Sequence, residues 1–287
     1  MDVQHKDTHI TLGDVDARRV VEVPDLSLDA RSIVPGIPEE VWRGHEGDVA
    51  AVQTWVLRSE GRVVLVDTGV GNGRRRPGSP HFEGLDTDFL ARLAAAGVRP
   101  EDVDVVVNTH IHGDHVGWNT REEGGSWVPT FPRATYLIPA ADRAYFGPER
   151  GDAVREDHRA VFADSIAPVE RAGQAVYWEG THRIDAHLTL EAAPGHTPGS
   201  SVLRVESGGD RAVFVGDLLH VPAQLAAPGC SSCFCEDPEQ AAETRIKVLG
   251  RAADERELVV PAHFGGAAGA VEVRREGGGF AVSRWAA

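Results

Sequence analysis

Apolar residues along this 287-residue chain gather into short runs that stop abruptly at small or polar side chains. The clearest are residues 62–69 (RVVLVDTG), 104–110 (DVVVNTH), 134–140 (ATYLIPA), 187–196 (HLTLEAAPGH), 211–217 (RAVFVGD) and 257–263 (ELVVPAH). Short β-branched runs of this kind read as buried strands. Two stretches carry helix signals instead. Residues 86–97 (DTDFLARLAAAG) have an Asp/Thr start and a Gly stop, and residues 236–255 (EDPEQAAETRIKVLGRAADE) open on Asp-Pro, suited to a cap and first turn. Strands alternating with helices predict an α/β fold. Residues 24–49 and 141–183 follow neither period and are expected to be loops or irregular helical segments over a pocket.

The strand ends carry the chemistry. Asp67, His110, His196, Asp217 and His263 each stand at or just past the end of a predicted strand. Side chains leaving a rigid sheet at its edge can converge there. Polar, metal-capable residues at five separate ends are not accounted for by ordinary loop polarity.

Composition narrows the class. With 41% hydrophobic and 25% charged residues the chain is ordinary for a globular protein, and its length suits a single domain over residues 1–287. No apolar run approaches the ~18 residues of a membrane helix, and the start MDVQHKDTHITLGDV has no basic or apolar leader. A cytoplasmic protein with no membrane partner is expected. The net charge of −15 argues against a nucleic-acid partner, because phosphate binding needs clustered Lys and Arg. A small-molecule substrate is the expected partner, and a homodimer is left open. Cys230, Cys233 and Cys235 all lie in CSSCFC. Three thiols are too few for a four-cysteine zinc site, and although a C-x-x-C pair can bind metal or form a disulfide, free thiols near a helix start are favoured. Trp42, Trp118, Trp127 and Phe131 fall near predicted loops, where core positions are favoured over pocket walls.

The segment NTHIHGDHVGWNT (residues 108–120) packs three histidines and an aspartate into six consecutive positions. Converging imidazoles and carboxylates need something positive between them. In an extended strand tail, residues two apart point the same way, so His110 and His112 can grip one ion. Gly113 then allows a turn, and Asp114 and His115 face a second ion as the chain enters a helix at DHVGWN.

In these residues the chain resembles the metallo-β-lactamase superfamily, whose signature is H-x-H-x-D-H followed by a distant His, an Asp and a final His. His110, His112, Asp114 and His115 match the first element, His196 in PGHTPG the second, Asp217 in VGD the third and His263 in PAHFG the last. The resemblance implies a four-layer αββα sandwich with two divalent ions, zinc expected, at one sheet edge. His110, His112 and His196 would hold the first, Asp114, His115 and His263 the second, and Asp217 would bridge them. Asp67 would act from behind, as an acceptor fixing a metal-bound histidine.

Departures within the superfamily narrow the activity. Its true β-lactamases have a cysteine or serine where this chain has Asp217, its flavodiiron oxidases have H-x-E-x-D-H, and its nucleases carry further RNA-binding parts. GDLLHVPAQL (residues 216–225) looks most like the methyl parathion hydrolase branch, with a histidine three residues after the bridging Asp, where acyl-homoserine lactonases have a tyrosine. His220 thus stands beside the reaction centre, as a substrate contact or as a packing residue in equal measure. The expected reaction is hydrolysis of an ester-like bond, a lactone or carboxylic ester with phosphotriesters as a side activity. A metal-bridging hydroxide would attack, and Asp114 or a bound water would return a proton to the leaving group. The alternatives are a thioester hydrolase of the glyoxalase II kind, a β-lactam hydrolase, a mononuclear iron persulfide dioxygenase, or a non-catalytic binding module. The last is disfavoured because all seven ligand positions are filled.

Overall fold

The computed structural model describes residues 8–45, 49–266 and 269–286. Residues 1–7 of the start read as leaderless, and residues 46–48 of the expected pocket cover, lie outside the described residues.

The chain forms its strands in the order β1 (His9–Leu12), β2 (Val15–Val23), β3 (Val52–Ser59), β4 (Arg62–Val66), β5 (Val105–Val107), a separate ribbon of β6 (Thr120–Glu123) and β7 (Ser126–Pro129), then β8 (Thr135–Pro139) and β9 (Ala175–Trp178). Outside the ribbon these make one seven-stranded sheet, β1-β2-β3-β4-β5-β8-β9. Its first four strands are antiparallel neighbours, and β4, β5, β8 and β9 run parallel. The remaining strands are β10 (Thr181–Arg183), β11 (Leu188–Ala192), β12 (Ser201–Ser207), β13 (Asp210–Gly216), β14 (Leu258–Pro261), β15 (Ala270–Glu276) and β16 (Gly279–Ala286). They form a second seven-stranded sheet in sequence order, parallel only between β13 and β14. Among the described residues seven α-helices accompany them: α1 (Ala30–Ile33), α2 (Glu39–Trp42), α3 (Phe89–Ala95), α4 (Ala140–Phe146), α5 (Glu156–Val161), α6 (Ala167–Arg171) and α7 (Pro238–Glu255).

The two sheets share a unit that the sequence does not advertise. In each, an antiparallel hairpin (β3-β4, β12-β13) is followed through a helix by a parallel neighbour (β5, β14). The second strand of each hairpin runs directly into an aspartate, Asp67 or Asp217.

Strand side chains alternate between two cores. Val64, Val66 and Val107 meet Leu203, Phe214 and Val260 between the sheets, where Trp55 packs edge-on against Phe214. Val63, Leu65 and Val106 face outward onto Phe89, Leu93, Phe146 and Val169. On the opposite outer face, Val213 and Val259 meet Val248, Leu249 and Ala252 of α7. Each sheet is thus covered on both faces, giving the expected αββα layering and explaining the unbroken apolar runs. Helix α7 begins where expected: the Asp237 side chain caps Gln240 N, and Pro238 opens the first turn. No helix among the described residues is long and apolar enough to cross a membrane.

Two expectations need correction or refinement. No helix forms at DHVGWN; a single 3₁₀ turn at Gly117–Asn119 stands there. The reason is competition for donors, since Gly117 N and Trp118 N bond to Gly69 O and Thr68 O of the loop after β4 instead of to helical carbonyls. Residues 24–49 and 141–183 do flank a cleft, to which Leu26, Leu28, Ile33, Arg155, His158 and Val161 contribute. The latter stretch also holds β9 and β10, which its irregular pattern hides. Trp42, Trp118 and Phe131 are core residues, and Trp127 lies against the Arg74 guanidinium; none is among the cleft-lining residues.

Candidate metal centre

The loop leaving β5 is fixed from both sides. Asp67 Oδ1 accepts from Thr109 N at 2.8 Å, and a fully buried carboxylate that the sequence reading missed, Asp142 at the start of α4, accepts from Ile111 N at 2.8 Å. Asp142 also accepts from Thr197 Oγ1 at 2.9 Å and Gly199 N at 2.6 Å. One side chain therefore ties the loop of His110 and His112 to that of His196. Gly113, between His112 and His115, packs closely enough that a Cβ there would stand 3.0 Å from the Arg76 side chain and 3.2 Å from that of Val161.

All seven expected ligand residues come together, in two groups. In the first, His112 Nδ1 lies 3.1 Å from His110 Nε2 and 2.9 Å from His196 Nε2. In the second, His115 Nε2 and His263 Nε2 are 3.2 Å apart, with Asp114 oxygens 3.7 and 3.6 Å from them. Asp217 stands between. Its Oδ2 is 3.2 Å from His196 Nε2 and 3.8 Å from His110 Nε2, and its Oδ1 is 3.1 Å from His115 Nε2 and 3.0 Å from His263 Nε2. Both groups have the makeup and spacing to hold a cation.

Hydrogen bonds behind the histidines decide which nitrogens face inward. His115 Nδ1 meets the acceptor Asp67 Oδ2 at 2.9 Å, and His263 Nδ1 meets Ala51 O at 2.8 Å, so each ring must donate there. Thr109 Oγ1 gives its proton to Asp67 and is left to accept from His110 Nδ1 at 3.0 Å. The Nε2 lone pairs of His110, His115 and His263 therefore point at one another and at Asp217, whose buried Oδ1 has no hydrogen-bond donor. Acceptors about 3 Å apart with no donor between them repel, whereas ligands sharing a tetrahedral ion of ~2.0–2.1 Å bond length stand at about that spacing. Neutral nitrogens with carboxylate oxygens suit a first-row divalent metal. The donor set fits such a cation.

Burial opposes charge on these rings, yet the Asp217 carboxylate lifts His115 well above its usual range, raises His263 and carries His196 to about 9. His110 and His112, dominated by burial and neighbouring rings, are pushed well below theirs. Asp217, although buried, is held well below the usual carboxylate range by His115, His263, His220 and His196.

His220 joins neither group. Its Nε2 is 3.2 Å from Asp217 Oδ2 and 3.3 Å from Ser232 Oγ, and burial pulls its pKa to about 4. It borders the cleft together with His112, Asp114, Asp217 and His263. The lining of this cleft includes apolar Leu26, Leu28, Ile33 and Phe82 and polar Arg155, Asp157, His158 and Glu236. Glu22, also missed, is a buried carboxylate accepting from Val70 N, Gly71 N, Thr87 Oγ1 and Trp118 Nε1, and it fixes the loop after β4. Neither Glu22 nor Asp142 has a sequence signal, because each acts on residues far away along the chain.

Comparison with known proteins agrees with this geometry. The model of the metallo-beta-lactamase superfamily matches residues 47–263. A probable metallo-hydrolase of Mycobacterium bovis is 26% identical over 237 residues, covering 72% of this chain and 73% of that protein. The N-acyl homoserine lactonase AttM of Azorhizobium caulinodans is 30% identical over 135 residues, 43% of this chain and 44% of its own. In fold, the solved structure of AidC, a dizinc quorum-quenching lactonase in complex with a product, superposes with a TM-score of 0.75 at 20% identity, covering 98% of both chains. With a family model spanning most of its length and the family's donor positions gathered at one sheet edge, the chain belongs to the metallo-beta-lactamase superfamily.

Proposed function

We propose that this metal-dependent hydrolase cleaves ester-like bonds, lactones and carboxylic esters first and phosphotriesters as a side activity. Two divalent ions, zinc the expected metal, would be held by His110, His112 and His196 on one side and Asp114, His115 and His263 on the other, with Asp217 shared. The observation that carries this reading is the placement of Asp217, which offers Oδ2 to one group and Oδ1 to the other. When bound, such ions activate a water at neutral pH and polarise the oxygen of the bond to be broken.

The chain's own residues supply the rest. Asp114 is the more exposed of the two site carboxylates, 18% against 5% for Asp217, and it borders the cleft, so it can hand a proton to a departing alkoxide. His220 contacts Asp217 and the cleft, and we assign it to the substrate oxygen. The apolar part of the cleft lining favours a substrate with a hydrocarbon portion over a fully charged one. Similarity to lactonases in sequence and in fold supports a lactone among the substrates.

Purified protein loaded with zinc should hold about two ions per chain and turn over lactones and aryl esters faster than thioesters, β-lactams or phosphotriesters. Chelation should abolish that turnover and added zinc restore it. Faster cleavage of thioesters, or one iron per chain with oxygen uptake on a persulfide, would replace this reading.

A further inference from the structure

The CSSCFC segment has no part in the hydrolysis as described. It leads into α7, and all three of its thiols are free. Its backbone is bonded to the loop of His196: Glu236 N donates to His196 O at 2.9 Å and Asp237 N to Gly195 O at 3.0 Å. Within it, Cys235 N closes a turn onto Ser232 O. That turn sets Cys235 Sγ 3.5 Å from His196 Nδ1. Ser232 Oγ lies 3.6 Å from the same sulfur and 3.3 Å from His220 Nε2.

The other histidines set the standard for such a contact. His110, His115 and His263 each have Nδ1 engaged by an oxygen, which leaves Nε2 bare toward the centre. His196 also faces inward through Nε2, so its Nδ1 must carry the proton and needs an acceptor. The atom in that place is a sulfur. We infer that Cys235 is a positioning residue that accepts the Nδ1 proton of His196, fixing the ring orientation in which Nε2 faces His112 and Asp217 and thereby setting the affinity of the first ion. Partners of this kind typically change metal affinity by about 10–100-fold. The inference rests on His196 being a metal ligand, as in the proposed function, and not on the identity of the substrate.

The test is metal binding. Zinc affinity is measured by competition with a chromophoric chelator, and the visible spectrum is recorded with cobalt, for the wild type, C235A, C235S, C233A and H196A. C235A should bind one of its two zinc ions about 10–100-fold more weakly and the other normally. C235S keeps an acceptor and should recover most of that loss, while its cobalt spectrum shifts because the acceptor atom has changed. C233A removes an exposed thiol of the same segment and should match the wild type. Normal affinity in C235A, an equal loss in C235S, or an equal loss in C233A would overturn the assignment. If C235A does not fold, an unchanged cobalt spectrum in C235S overturns it instead. Two normally bound ions in H196A would show that the ligand reading itself has failed, a result distinct from failure at Cys235 alone.

Discussion

Asp217 shows how much one side chain can carry. It is buried among histidines and offers one oxygen to each donor group. Asp217→Asn keeps the volume but removes the anion, so turnover should fall by more than the ~10²-fold that loss of a supporting hydrogen bond costs, with an unchanged circular dichroism spectrum. Retention of two ions with near-normal turnover would refute its bridging role. His220→Ala should lower turnover by about 10²-fold with both ions retained, since His220 touches Asp217 but belongs to neither group. Metal content, melting temperature and kinetics on one preparation check this; a lower melting temperature with an unchanged rate would make it a packing residue. Asp142 predicts a pH effect. Burial outweighs its three donors and raises its pKa from 3.8 to about 6. The native state then keeps a proton that the unfolded chain releases between about pH 4 and 6, so stability falls as pH rises through that window. Asp142→Asn has no such titration, so the melting-temperature advantage of the wild type, measured with chelator present, should shrink from pH 4 to pH 7. The candidate donor set was readable because four of its residues are nearly consecutive and the others end apolar runs. Asp142, Glu22 and Cys235 were not, since their partners lie 31 to 96 residues away.

At the scale of elements, legibility followed burial on both faces. Strands β4, β5, β8, β11 and β14 lie within the runs read from sequence, β13 begins one residue before its run, and α3 and α7 lie within their capped stretches. Strands β2, β12 and β15 escaped because charged residues interrupt them. Arg19 in β2 is buried, with Nη2 donating to Gly266 O at 2.8 Å, and Arg204 in β12 is buried against Glu191 and Glu257. A paired buried arginine looks, in sequence, like a break in a strand. The 3₁₀ turn after the metal loop escaped for a different reason, because its donors are claimed by a loop some fifty residues earlier. Gly117 sits against that loop so closely that a Cβ would overlap the Val70 carbonyl. Gly117→Ala should therefore cost about 1–3 kcal/mol and lower turnover as well, since the displaced loop bears Asp67. Thermal melts beside kinetics check both effects, and an unperturbed melt would show that the contact is not tight.

Across the whole molecule, the order of the chain matches its architecture: every strand of the first sheet lies before Gly180 and every strand of the second after it. The donors divide the same way. His110 and His112 come from the first half and His196 from the second, and so do Asp114 and His115 against His263, so neither half alone completes either group. Residues 179 and 180 between them are exposed. A chain divided there and coexpressed as two polypeptides should thus reassemble into an active enzyme, with zinc tightening their association by mass action and chelation loosening it. Titrating one fragment into the other with and without zinc would measure this; association indifferent to metal would mean that the apolar seam alone joins them. Catalysis in this molecule would then double as a reporter of docking, switched on only when two separately made pieces have met in register.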